Sequence, residues 1–158
     1  MAVKKIEAYF SAYNMAEQII EFDVSSATVE LAAKALNCAP ERIAKTLSFK
    51  LKKSDRILLI VAAGDAKVDN AKYKQTFNER ALMLKPDEVE AKIGHPVGGV
   101  CPFAINEGVE VFLDESLQRF ETVFPACGSP QSAIELTIPQ LETCAQTTNW
   151  VDVCKGWN

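Results

Sequence analysis

A chain of 158 residues is the size of one ordinary domain and can close a hydrophobic core without disulfides or metal. Hydrophobic residues make up 48% and charged residues 24%, which argues against disorder, and a formal net charge of -4 argues against a broad cationic embrace of nucleic acid. Five cysteines without a CxxC spacing, beside the single histidine His95, fit reduced buried thiols better than a disulfide set or a zinc cluster. No apolar run approaches the roughly 20 residues that span a bilayer. Glu7, Tyr9 and Asn14 interrupt the run that a signal peptide needs. The expectation is one cytoplasmic domain over residues 1–158, with no membrane contact, metal or cofactor.

In chain order, residues 2–13 suit a short helix with Ile6, Phe10 and Tyr13 on one side, and Ile19, Ile20 and Phe22 suit a short strand. Ser25 or Ser26 can cap a helix reaching Leu36, whose stripe of Val29, Ala32, Ala33 and Leu36 is small enough for close approach. Pro40 fits the first turn of a short helix running to Lys45. Residues 46–51 and 56–63 then read as an antiparallel hairpin. The unbroken apolar centre of its second strand, Ile57 to Val61, places that strand inside the sheet. Helices are expected from Asp69 or Asn70 to Phe77, from Pro86 with Val89 and Ile93 inward, and from Pro139. Strands are expected at 109–113, 121–126, 133–137 and 150–153, with a helical turn at 114–120 capped by Asp114. Strands separated by short helices, without the long regular alternation of a doubly wound sheet, give an α+β fold: a mixed, strongly curved sheet with short helices packed outside, a three-layer α/β fold being the alternative.

Three features could carry chemistry. Lys45, in the stretch Arg42 to Leu47 just before a predicted strand, has apolar neighbours that can enclose its stem while the ammonium meets a phosphate or a carbonyl, although a snorkelling surface lysine is the commoner outcome. The loop from Gly94 to Phe103 contains Gly98, Gly99, Val100, Cys101 and Pro102. Adjacent glycines there allow close backbone approach, and free amides can stabilise an oxyanion or a phosphate, unless the loop is only a tight connection. Cys101 and His95 could form a thiolate and imidazole pair, yet no third group is evident to hold the imidazole, and a small buried thiol is the more common role. Asp65 could orient Lys45 or serve only as a turn residue. Lys45, Lys50, Lys52, Lys53, Lys67, Lys72 and Lys74 are bunched in sequence, as a local basic patch or an ordinary solvated face would be.

The segments Arg42 to Leu47, Ala62 to Asp69, Gly98 to Phe103 and Val111 to Leu117, in that order and spacing, resemble the YbaK/ProRS-associated editing-domain family over roughly residues 15 to 145. The resemblance implies a mixed α/β fold and hydrolysis of misacylated tRNA, including mischarged tRNA for proline. The implied partners are the 3′ end of that tRNA and an aminoacyl-tRNA synthetase. It matches Lys45 to the family's pocket lysine and Gly98 and Pro102 to its GxxxP loop, whose backbone positions the aminoacyl ester. Gly99, Val100 and Cys101 complete that catalytic stretch. Phe49, Asp65, Pro102 and Phe103 are the candidate substrate-binding residues. Ala133 stands where some members carry a polar residue, a departure that bears on which amino acid is removed. A noncatalytic RNA-end binding module and a small acyl-ester hydrolase are the competing readings.

Overall fold

A computed structural model describes residues 2–23 and 28–157. In chain order its regular elements are α1 (Ala2–Ser11), β1 (Ile19–Glu21), α2 (Val29–Leu36), β2 (Ile43–Leu51), β3 (Arg56–Ala63), β4 (Lys67–Val68), α3 (Asn70–Phe77), α4 (Pro86–Ile93), β5 (Glu110–Asp114), β6 (Thr122–Pro125), β7 (Ser132–Ile134), β8 (Leu136–Thr137), α5 (Ile138–Ala145), β9 (Trp150–Val151) and β10 (Cys154–Lys155). Six strands form one mixed, strongly curved sheet in the order β8-β6-β2-β3-β5-β9, and the pairs β1-β7 and β4-β10 stand apart as small ribbons.

The centre of the sheet is the hairpin read from the sequence. β2 and β3 run antiparallel from Ala44 opposite Ala63 to Leu51 opposite Arg56. β5 lies parallel to β3 on its other edge, so Leu58 to Ala63 are buried on both faces, as their apolar run requires. Phe49, Leu58, Ile60, Leu113 and Leu117 belong to one large core with Ile6 and Phe10 of α1, while Ala32, Ala33, Ile43 and Phe124 form a small second core under α2. The small residues of α2 bring its backbone close to the start of β2.

Two boundaries differ from the sequence reading for a tertiary reason. The helix expected from Pro40 to Lys45 is a single 3-10 turn, Pro40–Arg42, because Ile43 and Ala44 are drawn into parallel pairing with Phe124 and Pro125 of β6. Lys45 therefore sits inside β2 rather than before it. The strand expected at 133–137 divides at Glu135, with β7 pairing to β1 and β8 to β6. The cap assigned to Ser25 or Ser26 lies outside the described residues; Thr28 caps α2, its side chain accepting from the Leu31 amide at 3.2 Å.

Asp114 does more than cap. One carboxylate oxygen accepts from the Ser116 amide (3.0 Å) and the other from the Val153 amide (3.0 Å), so a fully buried carboxylate ties the turn after β5 to the C-terminal segment. Ser116 in turn accepts from the Ala63 amide through Oγ at 3.1 Å. This fixes the end of β3, where the candidate site begins.

Candidate active site

The outer edge of β2 is paired at both ends and open between them. Its ladder to β6 ends at Ala44, and pairing resumes where the Leu84 amide donates to the Ser48 carbonyl (3.1 Å) and the Lys50 amide to the Leu82 carbonyl (2.9 Å). Alternate residues of an antiparallel pair turn their N–H and C=O to opposite edges, and Ser48 and Lys50 show that even-numbered residues face this one. Thr46 therefore presents its backbone to the gap. A cleft of about 420 Å³ surrounds this stretch, walled by Val29 and Ala32 of α2, by Leu84 and Val89, and by Gly98 and Val100 of the glycine-rich loop. Among the described residues, Lys45 is the one charged side chain on its lining.

The geometry around Lys45 follows from how β3 ends. After Ala63 the chain turns, the Ala66 amide donating to the Ala63 carbonyl (3.0 Å) and the Gly64 amide to Glu41 (3.4 Å). The turn thereby directs two carbonyls at the lysine, and the ammonium donates to Gly64 O (3.4 Å) and to Ala66 O. An ammonium has three donors, so one N–H is left for a ligand in the cleft. Burial holds the Lys45 pKa below the ordinary lysine range, with Asp65 opposing that shift.

The loop reaches the same cleft. The Gly99 amide closes a turn onto the Pro96 carbonyl (3.0 Å), so it is not among the free donors. The Gly98 and Val100 amides have no acceptor among the described residues, and both residues line the cleft. Gly98 has φ +90°, a left-handed conformation that a side chain would strain. At Gly99 a Cβ would fall 2.6 Å from the Gly128 carbonyl carbon and from the Ser129 nitrogen, so the loop can pack against the 127–132 turn only without a side chain. That turn is held by Ser132, whose Oγ donates to Cys127 O at 3.1 Å.

The covalent reading of Cys101 finds no support in this geometry. The thiol is fully buried, and burial pushes its pKa up to about 12. His95 Nε2 lies 2.6 Å from the Phe103 carbonyl, which can only accept, so Nε2 carries the proton and offers no lone pair to the sulfur 3.5 Å away. Nδ1 is buried without a partner. Burial depresses the His95 pKa, so below about pH 6.5 the unfolded chain binds a proton that the folded one resists, and stability falls on acidification. Urea unfolding between pH 7.5 and 5 should show a slope approaching about 1.4 kcal/mol per pH unit that His95→Gln removes. The lowered carboxylates Asp69, Glu88 and Glu110 titrate below this window.

Of the residues singled out from sequence, Lys45, Gly98, Val100 and Ala133 meet on the cleft. Phe49 does not reach it: at 2% exposure it packs on Tyr73 in the core, ring centroids 5.2 Å apart. Phe103 is likewise a core residue, edge-on to Phe10 at 4.8 Å. Pro102 lines a second depression beside Tyr9 and Asn106. Asp65 is held by Arg119 through two bonds of 2.6 and 3.0 Å and does not line the cleft. The lysine run is also dispersed. Lys50 pairs with Glu88, Lys72 pairs with Asp152, and Lys52 and Lys53 lie beyond the far end of β2, about 23 Å along the strand from Lys45.

Sequence reasoning missed Thr46. Its Oγ1 is buried without a hydrogen-bond partner, and the residue lines the cleft. An unpaired buried hydroxyl costs about 1–3 kcal/mol, so Thr46→Val should leave the melting temperature unchanged or raise it. If the hydroxyl meets the bound substrate, the same change lowers kcat/KM about fivefold, equivalent to the roughly 1 kcal/mol of one neutral hydrogen bond. Thermal melts and single-turnover rates read the two effects separately. A signal for Thr46 was present only in the strand's parity, once Lys45 was known to lie within β2.

A model of the aminoacyl-tRNA editing domain matches residues 23–144. YwhH of Bacillus subtilis (strain 168), an uncharacterised protein, is 51% identical over 157 residues, 99% of each chain. The proline–tRNA ligase of Geobacillus sp. (strain WCH70) is 29% identical over 103 residues, which is 65% of this chain and 18% of the ligase. Among solved structures, one described as a candidate trans-editing enzyme for prolyl tRNA synthetase has a TM-score of 0.86 at 23% identity over 98% of both chains. The hypothetical protein APE2540 has a TM-score of 0.85 at 22% identity, over 96% of this chain and 99% of its own. At these identities the two structures establish likeness of fold.

Proposed function

This chain belongs to the aminoacyl-tRNA editing domain family, and on that premise we propose that it is a deacylase that hydrolyses the ester of misacylated tRNA, with mischarged tRNA for proline as the first candidate. The observation that carries this reading is the meeting of Lys45 with Gly98 and Val100 on one cleft. Partial identity to proline–tRNA ligases supports the choice of tRNA.

An aminoacyl ester is already activated toward water, so the protein has mainly to position it, stabilise the developing oxyanion and exclude the correct product. The remaining N–H of Lys45 can meet a phosphate or the ester carbonyl. The amides of Gly98 and Val100 can receive negative charge that grows on the carbonyl oxygen. Water attacks, the ester C–O bond breaks, and the ribose hydroxyl leaves with a proton. The cleft lining pairs one cation with mostly apolar side chains, which disfavours a basic amino acid and suits a small uncharged one.

The test is deacylation of a panel of tRNAs charged with different amino acids. Release of a small residue from tRNA for proline, with the correctly charged product spared, is the expected result. Binding without ester loss would establish a noncatalytic module instead, and turnover of small esters with all charged tRNAs intact would establish an acyl-ester hydrolase.

A further inference from the structure

β4 and β10 form a ribbon of two residues each, in which Cys154 faces Val68 and Lys155 faces Lys67. Like charges directly across a strand pair repel each other. Both lysines are exposed, and neither ammonium makes an ion pair or hydrogen bond among the described residues. The carboxylates around them are already committed. Asp65 is clamped by Arg119, Asp152 by Lys72 at 3.0 Å, and Asp69 accepts from the Ala71 and Lys72 amides as the cap of α3, with Lys155 contributing to its lowered pKa. In a chain of net charge -4, two cations held side by side on a fixed ribbon, neither in an ion pair among the described residues, are a local exception.

The ribbon is also joined to the cleft. Lys67 directly follows Ala66, whose carbonyl binds the Lys45 ammonium, and the two lysines lie close enough for the charge of Lys67 to lower the Lys45 pKa. On the other strand, Gly156 packs against the Asp65 carbonyl, a Cβ there falling 3.8 Å from it. Lys45, Lys67 and Lys155 thus lead from the lining of the cleft out onto the surface. An anion that follows this line has charges repeated along its length and one end in the cleft. An RNA strand ending in an esterified ribose has that form.

We propose that the β4-β10 ribbon is the docking surface for the phosphate backbone of the RNA acceptor arm, with Lys67 and Lys155 on the phosphates that precede the terminal nucleotide. This rests on the deacylase reading and extends it from the ester to the strand carrying it. The Trp157 ring beside the ribbon is already covered by the Arg119 guanidinium at 5.1 Å, so the contact is to phosphates and carries no base preference of its own.

The experiment is binding of an uncharged acceptor-stem RNA hairpin with a single-stranded 3′ end, followed by fluorescence anisotropy from low to moderate salt. Lys67→Gln/Lys155→Gln should weaken binding about tenfold at low salt and reduce the slope of log K against log salt by roughly 1.4 to 1.8, as expected when two phosphates are no longer neutralised. Lys52→Gln/Lys53→Gln should match the wild type. On charged tRNA the ribbon variant should raise KM and leave kcat unchanged. Its melting temperature should hold or rise because the cross-strand repulsion is relieved, an outcome that a merely structural role would not give. Wild-type affinity and slope in the ribbon variant would overturn the proposal while leaving the deacylase reading intact. Hairpin binding that depends on the ribbon, with every charged tRNA left intact, would overturn the deacylase reading and keep the surface.

Discussion

Replacing Lys45 with alanine is expected to lower kcat/KM on a misacylated tRNA by about 100- to 1,000-fold, the range for loss of one preorganised donor at a developing oxyanion. The lysine is placed for this by two carbonyls, of Gly64 and Ala66, which fix the ammonium without neutralising it. Its charge is an uncompensated one in a mostly apolar cleft, where a single charge acts more strongly than in water. The same substitution leaves those carbonyls without their donor, so a loss of stability of about 1–3 kcal/mol is expected beside the kinetic loss. Lys45→Met takes stem packing out of the comparison: it keeps the length and apolar contacts of the stem and removes only the charge and its hydrogen bonds, so whatever it loses comes from the ammonium. If Lys45→Met deacylates at the wild-type rate under single-turnover conditions, the ammonium takes no part in the reaction and the proposed mechanism fails. Lys45→Arg is expected to recover little, since a planar fork cannot repeat a point contact with two turn carbonyls and a third ligand.

Much of the fold was legible because it is written in local patterns. The apolar run from Ile57 to Val61 identified the central strand, Asp69, Pro86 and Asp114 marked the starts they occupy, and Val89 and Ile93 faced inward as their spacing required. The cleft was less legible because it is a gap between partners far apart in sequence. Nothing near Thr46 announces that β6 leaves the edge of β2 at Ala44 and that residues 82–84 return to it at Ser48. Phe49 and Phe103 lie near Lys45 and Cys101 in sequence, but Phe49, on the same face of β2 as Lys45 and four residues farther along, is covered by Tyr73 of α3, and Phe103 is covered by Phe10 of α1. The ribbon of β4 and β10 is too short to have a periodicity. Lys67 was visible only within a charge run and the Ala62 to Asp69 segment, and nothing in the sequence singled out Lys155.

Gly64→Ala is expected to have the largest effect of any single-methyl change near the cleft, on stability and activity together. A Cβ at this position would lie 2.0 Å from the Pro40 carbonyl oxygen and 2.8 Å from Val29 Cγ1. The valine tip can move, but the Pro40 oxygen cannot easily do so. It belongs to the 3-10 turn that delivers the chain into β2 and accepts from the Ile43 amide at its end. Relief therefore has to come from displacing the Gly64 turn, whose carbonyls hold Lys45, and from pushing α2 outward from the wall it forms. Overpacking of this kind costs about 1–3 kcal/mol, and a shift of the order of 1 Å at a positioned group can cost about 100-fold in rate. Denaturant unfolding should show the loss of stability with an unchanged m-value, since the extent of the core is the same. Single-turnover deacylation should fall to near the level of Lys45→Met. A Gly64→Ala variant with wild-type rates and stability would mean that this turn does not set the position of Lys45, and the link from the end of β3 to the chemistry of the cleft would be broken.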